Sequence, residues 1–278
     1  MNGPFQTIAL AATLTVAAGG ARAELMVGDK APALQTGKWI QGEPVHGFDT
    51  NHIYIVEFWA TWCGPCIQSI PHLNQLWNAF KDKGVIVIGL DVWDSDEAVA
   101  PFVEKMGAKM TYRVALDDKS QDPDGWMADH WWKRKVNYHG IPNAFIINKD
   151  GVIVWMGHPM GLKEQVLNNI VSGHYDLEKA AADYRSDWQI DQRFQGLQKQ
   201  LSSDIDDKNW DDAQSALDEI DNLLPKFKNG FTIQRLKVLL GKKNSKKRVN
   251  LPRHSARLIR RMTFGKMSSR GPSSVPGP

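Results

Sequence analysis

An apolar run, Ile53-Tyr-Ile-Val-Glu-Phe-Trp59, leads through Ala60-Thr61 into Trp62-Cys63-Gly64-Pro65-Cys66, which holds the only two cysteines of the 278 residues. A run of this length reads as a strand buried on both faces, and such a strand requires a sheet covered by helices on each side. Two cysteines three apart at the start of a helix form a dithiol that closes into a tight, reversible disulfide, which suits redox exchange rather than structural stapling. Zinc is the rival reading, because C-x-x-C is half of a zinc knuckle, but a structural zinc site needs four ligands. No second pair exists, and the histidines (His46, His52, His72, His130, His139, His158, His174, His254) are scattered without metal spacing.

The surrounding pattern is α/β. Val85 to Leu90 is a second all-apolar strand, and Tyr112 to Leu116 gives a third. Ser95 to Met106 starts at an N-cap and stops at Gly107, so it is expected to be a helix. Asp124 to Lys135 reads as a short Trp-rich helix. Asn143 to Asn148 and Val152 to Met156 flank Lys149-Asp150-Gly151 as an antiparallel hairpin, and Leu162 to Val171 is a helix closed by Gly173. A mixed sheet with helices on both faces follows. Pro71, inside the helix expected from Cys63 towards Phe80, removes one amide from its ladder and should kink it.

Glu57-Phe-Trp-Ala-Thr-Trp-Cys-Gly-Pro-Cys66 resembles the active-site stretch of thioredoxin, and Gly140-Ile141-Pro142 followed by Asn143-Ala-Phe-Ile-Ile147 resembles its cis-proline segment. Val27-Gly-Asp-Lys-Ala-Pro32 is similar to the start of exported TlpA/ResA-type redoxins, a branch of the thioredoxin and AhpC/TSA superfamily. Asp150-Gly-Val-Ile-Val-Trp155 and Gly157-His158-Pro159 continue the likeness, which covers roughly Val27 to Gly173. The resemblance implies a thioredoxin fold and thiol-disulfide oxidoreductase chemistry with no cofactor. Cys63, at the helix N-terminus where free amides and the dipole favour an anion, would be the attacking sulfur. Cys66, one turn further in, would resolve the mixed disulfide. Glu57 stands in the place of thioredoxin's buried aspartate, which implies a general base for Cys66; the alternative is a strand glutamate turned to solvent or paired with lysine. Ile141-Pro142 would be cis and offer its backbone to substrate beside Cys63. Trp62, Gly64, Pro65, Ile141 and Pro142 are thus substrate-side residues, with Trp59 in the same apolar rim, whereas Trp126, Trp131 and Trp132 are core or line a groove.

The ends of the chain differ in style. Ile8 to Ala18 is an apolar stretch too short to span a bilayer, and Ala21-Arg22-Ala23 follows it as a small-x-small cleavage pattern, although Met1 to Thr7 has no Lys or Arg. Residues 1–23 are therefore read as a signal peptide. With no cysteine at the cleavage point, a lipoprotein is not expected, and the destination is periplasmic or extracellular. Residues 24–173 form the thioredoxin-like domain. Residues 174–240 are helical, with Phe194, Leu197, Leu201 and Ile205 on one face and Trp210, Ala213, Leu217, Ile220 and Leu224 repeating before Pro225. Asn209 to Leu217 faintly resembles a tetratricopeptide helix, and the region is either a packing appendage or a partner-binding module. Residues 241–278 carry eleven of the 34 Lys and Arg residues and none of the 31 Asp and Glu residues, so the basic balance of the chain comes from this tail. A basic tail could bind nucleic acid or an anionic membrane, but interleaved aromatics and a helical pattern are lacking, so it is expected to be disordered, or the product of a reading-frame change, with no nucleic-acid partner and no stable membrane insertion after cleavage.

The reading is an exported enzyme that exchanges electrons with protein disulfides and takes them from a thiol donor. Two alternatives stay open. An AhpC/TSA-type peroxidase shares the fold but looks for a threonine three residues before its cysteine, where this chain has Ala60. A non-enzymatic interaction module would bind partners through the helices, with the dithiol only tuning it. For export, the expected mature N-terminus is Glu24; N-terminal sequencing of the secreted protein checks it, and an intact Met1 on a cytosolic chain contradicts it.

Overall fold

The computed structural model describes residues 24–133, 140–228 and 230–249. The expected signal peptide, Lys135 and the chain beyond Val249 lie outside the described residues. The chain divides into two units, at 186/187.

The first unit is built on a six-stranded sheet of order β1-β4-β3-β2-β5-β6: β1 Thr36–Gln41, β2 Ile53–Trp59, β3 Val85–Asp91, β4 Arg113–Asp117, β5 Asn143–Ile147 and β6 Ile153–Gly157. β2 pairs parallel with β3 and antiparallel with β5; β3 and β4 are parallel, and β1 and β6 close the sheet antiparallel. β2 and β3 are buried along their whole length, as expected of strands covered on both faces. The backbone of residues 28–31 runs beside β6, with Gly28 N donating to Ile153 O and Ala31 N to Gly151 O.

Alternation along β2 divides two cores. Ile53, Ile55 and Trp59 face helix α1 (Gly64–Phe80), with Ile70, Leu73 and Phe80, together with Val99 and Val103 of α2 (Asp96–Met106) and Leu167 and Ile170 of α3 (Glu164–Val171). Tyr54, Val56 and Phe58 face the other way, onto Met127, Trp131 and Phe145. Ser95 occupies the N-cap of α2, but its side chain makes no capping bond. α3 ends as expected: Gly173, at φ +74°, donates to Ile170 O, and His174 N donates to Asn169 O, which satisfies the last carbonyls.

Three expectations change. β1 was not expected; its residues Thr36-Gly-Lys-Trp-Ile-Gln41 have no apolar alternation, and it is an irregular edge strand with register shifts against β4. The Trp-rich helix is a short π-helical segment, Ala128–Lys133, whose start is held by the Asp117 carboxylate accepting from Met127 N (2.8 Å) and Ala128 N (2.7 Å). The first unit runs past the expected edge at 173/174, with α4 (Leu177–Asp206) placing Leu177, Ala180, Ala181 and Tyr184 against its second core.

In the second unit, Leu197 and Leu201 of α4 bury against Ala213, Leu217 and Ile220 of α5 (Trp210–Leu223) and Val238 of α6 (Thr232–Val249), with Phe194 and Ile205 at the margin. α6 runs nine residues past the expected start of the tail. Arg235 Nη2 bonds Asp221 Oδ1 at 2.5 Å and Lys242 Nζ pairs with Asp211 Oδ1 at 2.7 Å, both on α5. Gly241 is fitted to the indole of Trp210, since a Cβ there would lie 2.3 Å from the ring.

A Gly→Ala change inside a helix ordinarily stabilises it by about 1 kcal/mol. Gly241→Ala should instead destabilise the second unit by roughly 1–3 kcal/mol through overpacking. In a Trp210→Ala background the same change should be neutral or stabilising, as read by denaturant titration of the helical signal; equal effects in both backgrounds would contradict the fit.

Candidate active site

The sheet register assembles the site. Phe58 of β2 is paired with Asn143 of β5, and Trp59 with Asp91 of β3. The chain leaving β2 towards the cysteines therefore passes between the residues just before β5, Ile141-Pro142, and those just after β3, Val92 to Asp94. All three segments meet beyond one end of the sheet.

Cys63 is the N-cap of α1, with extended backbone, and its sulfur accepts from Cys66 N at 3.2 Å. Cys63 and Cys66 are joined as a disulfide. Both cysteines are buried, Cys66 wholly and Cys63 with 5% of its surface exposed, while Gly64 and Pro65 between them are open to solvent. The Ile141-Pro142 bond is cis, and the Ile141 carbonyl oxygen lies 3.6 Å from Cys63 Sγ. Trp62 is 63% exposed and stacks on Trp93 at 6.0 Å and 14°. Trp59, expected in the same rim, is fully buried against Phe102 and takes no part in the surface. Trp131 is core, between Phe48, Phe58 and Phe145, and Trp126 stacks on His130; the side chain of Trp132 is outside the described residues.

Glu57 falls between Ile55 and Trp59 on the α1 side of β2, so alternation turns its carboxyl inward and it has no exposure. Neither solvent nor a lysine receives it. Oε1 lies 3.1 Å from Ser69 Oγ and Oε2 3.2 Å from Tyr112 OH. Ser69 Oγ is also 2.9 Å from the carbonyl oxygen of Cys66. One hydroxyl proton cannot fully serve both acceptors, and a protonated Glu57 resolves the conflict by donating to Ser69 while Ser69 donates to Cys66 O. Loss of hydration pushes Glu57 up from 4.5 to about 8, only partly offset by the bonds from Ser69 and Tyr112. Space for this network comes from small neighbours: Glu57 is paired with Gly89 and Ala144, and a Cβ at Gly89 would lie 3.0 Å from the Tyr112 ring and 3.1 Å from the Trp59 indole.

A second acidic group, not anticipated from the sequence, braces the loop before Cys63. Asp94 Oδ2 accepts from Thr61 N at 2.6 Å and Oδ1 from Thr61 Oγ1 at 2.9 Å. Asp91 Oδ1 accepts from Asp94 N, and burial, reinforced by the Asp94 carboxylate, raises Asp91 to about 8. Val92-Trp-Asp-Ser95 looks like an ordinary strand-to-helix turn in the sequence; only the return of β3 beside β2 brings it to Thr61 and Trp62. Among the described residues no group of three or more His, Cys, Asp or Glu side chains is placed to hold a metal.

The AhpC/TSA family profile matches residues 27–156. The protein FixW of Rhizobium leguminosarum is 26% identical over 209 residues, which cover 72% of this chain and 92% of that protein. The thiol-disulfide oxidoreductase ResA of Bacillus thuringiensis is 36% identical over 102 residues, 36% of this chain; the match spans 50% of the length of ResA. Among solved structures, a thioredoxin-family thiol:disulfide interchange protein of Chlorobium tepidum is similar at 22% identity, with 53% of this chain and 96% of that chain covered and a TM-score of 0.40.

The raised acids set the sign of a pH effect. Folded Glu57 holds its proton more tightly than the unfolded chain, so its contribution to stability is complete below pH 4.5 and is lost as pH rises through about 8. Thermal melts of wild type should fall across that window, and Glu57→Gln should flatten the fall, leaving the part due to Asp91 and, up to about pH 6, Asp117. Parallel wild-type and Glu57→Gln curves would contradict the protonated assignment.

Proposed function

From the match of residues 27–156 to the AhpC/TSA family profile and the mixed six-stranded sheet flanked by helices, we propose that the chain is an exported thiol-disulfide oxidoreductase of thioredoxin-like fold acting on protein disulfides through Cys63 and Cys66. The observation that carries the reading is the placement of the pair: Cys63, the N-cap of α1 beside the Ile141 carbonyl and the exposed Gly64-Pro65, is joined as a disulfide to the buried Cys66. In the reducing direction, the Cys63 thiolate attacks one sulfur of a substrate disulfide and the other leaves as a thiolate, which is protonated. The Cys66 thiol then loses its proton and attacks Cys63 Sγ, releasing the second substrate thiolate and forming the Cys63–Cys66 disulfide. Two electrons have passed to substrate, and a thiol donor returns them.

Glu57 is suited to the second step. Deprotonated, it draws a proton through the buried Ser69 side beside Cys66; protonated, it is the resting form near neutral pH. Trp62, Gly64, Pro65, Ile141 and Pro142 form the substrate side, where an extended segment meets the Ile141–Pro142 backbone and the exposed indole. Ala60, three residues before Cys63, does not favour the peroxidase alternative. Export rests on the Ala21-Arg22-Ala23 pattern; no helix among the described residues is long and apolar enough to cross a membrane.

Cys66→Ser should accumulate mixed disulfides with substrate proteins, and Cys63→Ser should trap almost none. Glu57→Gln should leave attack near wild type and slow resolution by about a hundredfold. Rapid-mixing measurement of both steps checks this; trapping by Cys63→Ser would reverse the roles, and unchanged resolution in Glu57→Gln would make Glu57 structural only.

A further inference from the structure

Of the six large apolar side chains that stand exposed among the described residues, four lie on α6: Ile233 (68%), Leu236 (54%), Leu239 (67%) and Leu240 (51%). Their spacing puts them on one face. The opposite face of the helix carries Val238, buried in the core, and Gly241, pressed on Trp210, while Arg235 and Lys242 turn to the acidic residues of α5. α6 is therefore apolar on two opposed sides, and only the inner side is accounted for by the fold of its own unit.

Charge decides what fits the outer side. α6 has seven Lys or Arg residues and no Asp or Glu, and no acidic residue follows it in the chain. Counting on from Leu236, Leu239 and Leu240 at helical spacing, position 243 continues the outer face with Lys243, and the sequence after it, Lys246-Lys247-Arg248, stays basic. The face thus passes from apolar to basic along its length. A second copy of α6 would set like charge against like charge. Nucleic acid would leave the four aliphatic side chains in water. An anionic bilayer interface takes both halves, because aliphatic side chains enter the acyl boundary while lysines meet the headgroups.

We propose that the outer face of α6 docks on anionic lipid, with Ile233, Leu236, Leu239 and Leu240 as the inserted residues and Lys243 as a headgroup contact. The helix lies in the interface and does not cross it.

Co-sedimentation of the full chain with vesicles tests the proposal. Wild type should pellet with mixed phosphatidylcholine–phosphatidylglycerol vesicles and stay in solution with phosphatidylcholine alone, and added salt should weaken binding. Leu236→Ser with Leu240→Ser, which keeps every basic residue, should lower partitioning about tenfold or more. Ile233→Ser with Leu239→Ser should act alike, and insulin reduction and the circular dichroism spectrum should be unchanged in both. Wild type left in solution with anionic vesicles would overturn the proposal. So would variants that bind as wild type, since attraction by the basic residues alone would then suffice. A concentration-dependent dimer abolished by the same substitutions would overturn it in favour of a second copy.

Discussion

β2 is flanked by a parallel neighbour, β3, and an antiparallel one, β5, and the site depends on this pairing. Parallel pairing brings the end of β3 beside the end of β2, and antiparallel pairing brings the beginning of β5 to the same place. Three segments with no sequence proximity, Thr61 to Cys66, Val92 to Asp94 and Ile141-Pro142, are thereby held together. Each supplies something different: the dithiol and its helix start, the brace on Thr61 and Trp62, and the backbone beside Cys63.

The same pairing explains how the sheet tolerates a carboxyl group in its middle. A buried carboxylate is expensive, and the enclosed Glu57 has only hydroxyl partners. The chain answers by keeping the proton on, which is the meaning of a value raised to about 8. Gly89 makes room for Tyr112 and Trp59 around the network. The network joins Glu57 through Ser69 to the backbone carbonyl of Cys66.

Two acidic systems flank the cysteines on different sides, and they do different things. Glu57, within the sheet, meets Ser69, which also bonds the Cys66 carbonyl oxygen. Asp94 holds the exposed side through both polar groups of Thr61, while Trp93 supports the indole of Trp62. The second unit has its own core and a different surface logic, in which aliphatic side chains remain outside and basic residues follow them along α6.

Much of the first unit was legible in the sequence because burial leaves a direct imprint. β2 and β3 are continuous apolar runs, the hairpin of β5 and β6 is marked by Asp150-Gly151, and the Cys63–Cys66 spacing at a helix start specifies a dithiol. The odd position of Glu57 between Ile55 and Trp59 marked it out, but whether its side chain turned inward or to solvent was decided only by the fold. What sequence could not supply was anything set by contact between distant segments. β1 is an edge strand whose partner, not its own pattern, makes it a strand. Trp59 has the same indole as Trp62, yet one is core and the other surface because alternation and the turn at Ala60-Thr61 separate them. Asp94 is an unremarkable loop residue until the return of β3 brings Thr61 within 2.6 Å. At Gly241 of α6 the Trp210 ring, thirty-one positions earlier, leaves no room for a Cβ; local composition alone reads the same stretch as the start of a tail. Periodicity and residue chemistry are properties of neighbours along the chain, whereas ring contacts, shared protons and braces arise only when the fold brings separate segments together.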